Sequence, residues 1–136
     1  MDFKTTEHPY GKGLQTNRSF TAGERVIKLD GTWVVAPSMY TIQLNDGGHL
    51  QPSDHIWALI NHSCEPNLRV DCEGLAMVAQ RNIPAGEELS FDYLTTEWDM
   101  ATPFTCQCQS AQCKQTISGA RYLGLTQQRL VWRQSA

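Results

Sequence analysis

The sequence has no apolar run approaching the roughly 18–20 residues of a membrane-spanning helix. Its opening residues, Met1 to Gly13, lack the apolar segment of a secretory signal. An intracellular chain with no membrane partner and reduced thiols is therefore expected. Positive charge is not in excess: 11 Lys and Arg stand against 14 Asp and Glu, a net charge of −3. Binders of phosphate backbones carry a basic surplus, so nucleic acid is not expected as a partner. Repeats and low-complexity tracts are absent, and 40% hydrophobic with 18% charged residues excludes the disordered class. At 136 residues the chain is too short for two ordinary domains. An even cysteine number is missing as well: there are 5, which argues against a disulfide framework.

What is present is a succession of short pieces cut by turn formers. Arg25 to Leu29 alternates, Trp33 to Ala36 is β-rich and stops at Pro37, and Tyr40 to Leu44 alternates up to Asn45-Asp46-Gly47-Gly48. Leu68-Arg69-Val70 runs into a turn near Glu73-Gly74, and the segments Ala76 to Ala79 and Glu88 to Phe91 flank Pro84-Ala85-Gly86. Helix signals are few. Ser53 or Asp54 is placed to cap a short turn through Ile56, Trp57, Leu59 and Ile60, and Thr126 to cap a last helix holding Leu130, Val131 and Trp132. The pattern predicts a mostly β domain of short strands in several small sheets or a barrel.

Four segments stand out. Gly11-Lys12-Gly13-Leu14 permits close backbone approach to a ligand but lacks the phosphate-loop pattern. Asn61-His62-Ser63-Cys64-Glu65-Pro66-Asn67 sets polar side chains directly after an apolar run, as the wall of a cofactor pocket would. Gly86 to Tyr93 reads as a turn and a strand ending in Asp92-Tyr93. Cys106, Cys108 and Cys113 form C-x-C-x4-C in a polar stretch, which suits metal ligation better than core packing. Structural zinc wants four N or S ligands, and either Cys64 or Cys72 is available as the fourth.

Together these segments resemble SET-domain protein-lysine methyltransferases with a post-SET zinc segment. The resemblance runs over about residues 8–114: G-x-G-hydrophobic, a full N-H-S-C-x-P-N, G-E-E-L-x-F-D-Y and the post-SET cysteines occur in the family's order. It implies a β-rich α+β fold of several small sheets with a C-terminal pseudoknot and a short C-terminal helix. The divisions would be a SET domain at 1–100, a post-SET segment at 101–118 and a helical tail at 119–136. The implied activity is S-adenosylmethionine-dependent methylation of a lysine ε-amine on a histone-like or other basic protein. Lys12, Gly13 and Leu14 through their backbone, with Asn61, His62, Tyr40 and Phe104, would hold the cofactor. Tyr93 would act on the amine, and Phe91 would tune how many methyl groups are added. Cys64, Cys106, Cys108 and Cys113 would bind one structural zinc, leaving Cys72 out of the ligand set. Departures from the pattern fall at Leu29 (a channel tyrosine in many members), Ala58 (an arginine), Gln109 (a glycine) and the absence of any cysteine before Cys64. The competing readings are a non-catalytic SET-like binding module and a methyltransferase acting on a small-molecule amine.

Overall fold

The computed structural model describes residues 2–44, 48–52 and 56–132. The turn expected at Asn45-Asp46-Gly47 and the cap expected from Ser53 or Asp54 lie outside the described residues. Twelve short strands form five small sheets among the described residues. β1 (Phe3–His8) and β2 (Gly11–Thr16) make an antiparallel hairpin with Glu7 opposite Lys12. β3 (Arg25–Lys28) will pair in a second sheet, and β4 (Thr32–Val34), β5 (Ile42–Gln43) and β6 (His49–Gln51) make a third in the order β4-β6-β5. A 3-10 turn over Ile56–Leu59 leads into β7 (Asn61–His62). β8 (Leu68–Asp71) and β9 (Ala76–Ala79) form a hairpin, and β9 lies between β3 and β8. β10 (Ser90–Phe91) pairs with β7, and β11 (Phe104–Thr105) with β12 (Thr116–Ile117). The one α-helix among the described residues, α1, spans Leu125–Val131. No helix among the described residues is long and apolar enough to cross a membrane.

The patterns follow from burial. β8 alternates, with Leu68 and Val70 buried and Arg69 and Asp71 half-buried, as a strand with one face on the core must. β9 is central and buried along its length, so Ala76-Met77-Val78-Ala79 has no polar position. Between them Asp71 Oδ1 accepts the N–H of Gly74 at 2.9 Å, the turn expected near Glu73-Gly74. Gly31 passes so close to β6 that a Cβ would lie 2.1 Å from the Gln51 carbonyl oxygen. The main core joins Leu14, Trp57, Ile60, Val70, Met77 and Leu89, and a smaller cluster gathers Leu94, Cys106 and Ile117. Tyr93 packs against both, so it sits where the two hydrophobic clusters meet.

Several strands are shorter than expected. The segment Tyr40 to Leu44 is extended only at Ile42–Gln43, because Thr41 Oγ1 accepts the Ser38 N–H at 2.8 Å and folds the start of the segment into a turn. Trp33 to Ala36 stops at Val34, and Val35 is exposed. The last helix is capped at Gly124, not Thr126: Gly124 is extended at φ −62°, ψ 158°, and Thr126 lies inside the first turn. β1 was not anticipated, since Phe3-Lys4-Thr5-Thr6-Glu7-His8 shows little apolar alternation and is held by its register with β2.

Candidate active site and metal centre

The parallel pairing of β7 with β10 sets Ser90 opposite Asn61 and Phe91 opposite His62. It carries Tyr93 to His62 across a sequence separation of 31 residues, where the Tyr93 N–H donates to His62 Nδ1 at 3.0 Å. Asn67, 2% exposed, fastens the same two segments: its Nδ2 donates to the Glu88 carbonyl at 2.9 Å and its Oδ1 accepts the Ser90 N–H at 2.9 Å. Asn61 Nδ2 donates to the Lys12 carbonyl at 3.0 Å and so ties β7 to β2.

Two cavities meet at this junction. The larger, about 720 Å³, is within the range of small-molecule sites and is lined by Lys12, Tyr40, Asn61, His62, Tyr93 and Phe104. The smaller, about 40 Å³, is walled by Trp57, Ile60, Phe91, Tyr93 and Glu97, with Tyr40 and Met100 common to both. Tyr93 therefore borders each. Its hydroxyl donates to the Ile60 carbonyl at 2.6 Å, and its ring packs on Phe91 with centroids 4.7 Å apart. Burial, and after it the Glu97 carboxylate, pushes the phenol well above its ordinary range, so it stays protonated. With that proton spent on Ile60, the oxygen has only lone pairs left to present.

His62 is neutral. Burial, with the Lys114 charge behind it, lowers its pKa to about 4. Since Nδ1 accepts from Tyr93, the ring proton is on Nε2, which lies 3.3 Å from Cys64 Sγ. The ring also meets Tyr93 and Phe104 edge-on at 5.3 and 5.8 Å. One imidazole thus joins the aromatic junction to a cysteine cluster.

That cluster comprises Cys64, Cys106, Cys108 and Cys113, whose sulfurs all lie within 4.8 Å of one another. A zinc ion with Zn–S bonds near 2.3 Å in a tetrahedron needs sulfur separations of about 3.8 Å. Backbone N–H groups already point at two of the sulfurs, Lys114 to Cys64 at 3.3 Å and Cys108 to Cys106 at 3.4 Å. Burial pushes the Cys64 and Cys106 thiols up, whereas Cys108, despite burial, is drawn down by its hydrogen bonds with Ser110. Four cysteine sulfurs at this spacing are compatible with one structural zinc, and the donor set fits that metal. Cys72 lies outside the cluster and packs against the main core. Gln109, at the position of the post-SET glycine, is left-handed at φ +59°.

The SET domain family model matches residues 11–94. The chain belongs to the SET-domain family. Among curated proteins, this SET domain is 32% identical over 117 residues to "Methyltransferase flvH" of Aspergillus flavus, covering 83% of this chain and 65% of that protein. It is 29% identical over 133 residues to "Histone-lysine N-methyltransferase 2B" of Homo sapiens, covering 80% of this chain and 5% of that protein. The chain therefore spans less than two thirds of either relative. Among solved structures, KRYPTONITE in complex with mCHG DNA and SAH superposes with a TM-score of 0.70 at 20% identity, over 84% of this chain and 28% of that one. A second KRYPTONITE complex, with mCHH DNA, H3(1-15) peptide and SAH, gives 0.66 at 21%. These likenesses establish the SET fold. Both complexes contain DNA, so the expectation of no nucleic-acid partner rests on charge alone and gains nothing from them.

Gly13 and Leu14 are not among the residues lining the larger cavity. Leu14 is buried in the core, and its carbonyl accepts the Leu89 N–H at 2.8 Å. Gly13 is small for another reason: a Cβ there would come within 2.6 Å of both Glu88 Oε1 and Thr6 Oγ1. Glu88 borders the larger cavity, accepts from the Thr6 hydroxyl at 2.6 Å and contacts His8 Nε2 at 2.5 Å, and His8 stacks on Tyr10 at 4.7 Å. The sequence reading missed Tyr10, Glu88, Trp57 and Glu97 as site residues. The G-E-E-L block held a signal for Glu88, but nothing local marked Glu97. Leu29, at the departed channel position, is buried in the core and bonds through its N–H to Leu75.

Proposed function

We propose that this chain is an S-adenosylmethionine-dependent methyltransferase acting on a lysine ε-amine of a protein substrate. The observation that carries the reading is the meeting of a cofactor-sized cavity and a narrow one at Tyr93, whose hydroxyl proton is committed to Ile60. The polar and aromatic lining of the larger cavity fits the cofactor, with Asn61 and His62 at its amino-acid and adenine parts, Tyr40 and Phe104 as ring contacts, and backbone at Lys12 on its rim. Gly13 and Leu14 support that rim from behind. Bound there, S-adenosylmethionine supplies an electrophilic methyl group on a sulfonium.

The protein's share is alignment. A free lysine has a pKa of about 10.4 and reacts only as the neutral amine. The apolar walls from Trp57 and Phe91 disfavour the ammonium and so favour loss of its proton to solvent. Tyr93, kept neutral, cannot serve as a base at ordinary pH; its oxygen orients the amine and accepts C–H contacts from the reacting methyl. Holding the reactants in line can be worth roughly 7–11 kcal/mol. Cys64, Cys106, Cys108 and Cys113 would hold one structural zinc that fixes Phe104 and Cys108 at the larger cavity.

A peptide substrate is supported by the histone-lysine methyltransferases among the relatives and by the H3-peptide complex of the structural neighbour. Residence inside the cell, with access to such basic proteins, belongs to the same reading, as do divisions at 1–100, 101–118 and 119–136. The test is incubation of the full chain with labelled S-adenosylmethionine and histone-like proteins, read by mass spectrometry. Label on lysine side chains is expected. Cofactor binding with no lysine modified in any basic protein, but with label on a small amine, would overturn the protein-substrate assignment.

A further inference from the structure

Glu88 is a carboxylate on the wall of the larger cavity for which the chemistry above gives no task. Among the described residues lining that cavity it is the one carboxylate, and Lys12 is the one ammonium. The β1–β2 hairpin makes room for it. Thr6 pairs with Gly13 and His8 with Gly11, so the two glycines fall on the face of the hairpin that carries Thr6 and His8. The Glu88 side chain crosses that cleared face: a Cβ at Gly13 would lie 2.6 Å from its Oε1.

One oxygen orients the carboxylate. Oε1 accepts the Thr6 hydroxyl at 2.6 Å and the His8 Nε2–H at 2.5 Å, and His8 in turn stacks on Tyr10 at the cavity rim. Among the described residues nothing donates to Oε2. At 30% side-chain exposure Glu88 is held in place yet open to a ligand entering the cavity. Ala58, at the position of the family's arginine, borders the same cavity and brings no cation to it. Ser90, two residues after Glu88, pairs with Asn61, and Gly13 follows Lys12, whose carbonyl Asn61 holds. The carboxylate is therefore at the Asn61 end of the cavity, where the amino-acid part of the cofactor is assigned.

We propose that Glu88 recognises the α-ammonium of S-adenosylmethionine through the oxygen that Thr6 and His8 leave open. This rests on the methyltransferase reading and adds a charge pattern to its cofactor cavity, with Lys12 matched to the α-carboxylate and Glu88 to the α-ammonium. The cofactor's ribose hydroxyls are neutral, and any uncharged acceptor satisfies them. A cation leaving water for a partly buried wall gains most from a carboxylate, because a hydrogen bond between two charged groups is about twice as strong as a neutral one.

The full chain, purified without chelator, is titrated by calorimetry with two ligands. S-adenosylhomocysteine carries the amino-acid part; 5′-methylthioadenosine carries the adenine, ribose and thioether without it. Wild type should prefer the first. Glu88→Gln keeps an amide oxygen for Thr6 and His8, so it should stay folded by thermal melt. It should lose roughly tenfold in affinity for S-adenosylhomocysteine and nothing for methylthioadenosine, as the loss of one charged hydrogen-bond partner implies. Glu88→Asp keeps the charge on a shorter stem and should fall between. An equal loss for both ligands in Glu88→Gln overturns the proposal, since the carboxylate would then serve the ribose or the fold. Full affinity of Glu88→Gln for S-adenosylhomocysteine, with lysine still labelled by wild type, removes the assignment of Glu88 and leaves the methyltransferase reading standing. Binding of neither ligand by wild type removes both.

Discussion

Replacing Tyr93 by Phe removes one oxygen and little else, and the structure separates what that oxygen does for stability from what it does for chemistry. Ile60 is 1% exposed, and its carbonyl takes the Tyr93 hydroxyl at 2.6 Å. Loss of that donor leaves a buried acceptor poorer by one bond, at a cost of about 1–3 kcal/mol. For a chain of this size about 1 kcal/mol moves the midpoint by roughly 4 °C, so Tyr93→Phe should melt roughly 4–12 °C lower. The chemical loss is larger. One preorganised polar contact at the reacting atoms is worth roughly 100- to 1,000-fold in rate, and kcat on a saturating lysine peptide should fall by that order. Cofactor affinity should hold, because Ile60, the hydroxyl's partner, lines the smaller cavity and not the larger. Three measurements decide it: a thermal melt, calorimetry with S-adenosylmethionine, and turnover at saturation. Wild-type turnover in Tyr93→Phe would refute the role assigned to the hydroxyl. Loss of cofactor binding in step with activity would show that the oxygen serves the fold and not the transfer.

Purified, unchelated protein should contain one zinc per chain by elemental analysis, and Cys72→Ser should keep it. Structural zinc contributes an apparent 10–16 kcal/mol or so in small peptides, so chelation should disorder the post-SET segment and, because Phe104 and Cys108 border the larger cavity, weaken cofactor binding by calorimetry. Asn61→Ala gives up the bond to the Lys12 carbonyl and should weaken S-adenosylmethionine by roughly tenfold; equal affinity would remove Asn61 from the site. Gln109→Gly relieves a left-handed residue and should raise the melting temperature of the zinc-loaded protein, by up to about 1 kcal/mol of stability; a lower midpoint would contradict the strain argument. Phe91→Tyr sets a hydroxyl beside Tyr93 in the smaller cavity, occupying room that a second methyl needs, so product masses should shift toward monomethyl-lysine while wild type reaches di- or trimethyl.

How far the sequence could be read varied with the kind of signal. Polar motif residues were legible because they break the local pattern: Asn61-His62 ends an apolar run, and three of the five cysteines fall inside eight residues of a polar stretch that has no reason to bury thiols. Strand positions were legible as apolar pieces, but their ends were not. A local side-chain bond such as Thr41 to Ser38 competes with extension, and residue type alone does not say which wins. The Gly124 cap was missed because Thr126 is the better capping residue by chemistry, while the chain turns into the helix two residues earlier. Glu97 was out of reach altogether. A glutamate after Leu94-Thr95-Thr96 looks like surface, and only the fold of the segment after Tyr93 against β5 turns it inward.

The N-H-S-C-x-P-N segment looks at first like a row of ligand contacts, yet most of its side chains bind other parts of the chain. Asn61 holds the Lys12 carbonyl, His62 holds the Tyr93 N–H and faces Cys64, Cys64 belongs to the sulfur cluster, and Asn67 holds Glu88 and Ser90. The bonds to Lys12, Tyr93, Glu88 and Ser90 span long stretches of sequence, so each removes more chain entropy than a local contact would, and cutting those of the buried Asn67 would leave a buried polar group behind. Short two-residue strands such as β7 and β10 cannot set a catalytic geometry by ladder bonds alone. The polar ties supply that rigidity, and they explain why the site needs this many uncharged hydrogen-bonding side chains in one short segment. The same logic makes His62 the link between the cysteine cluster and Tyr93: its two ring nitrogens face one element each, and a substitution there should be felt at both.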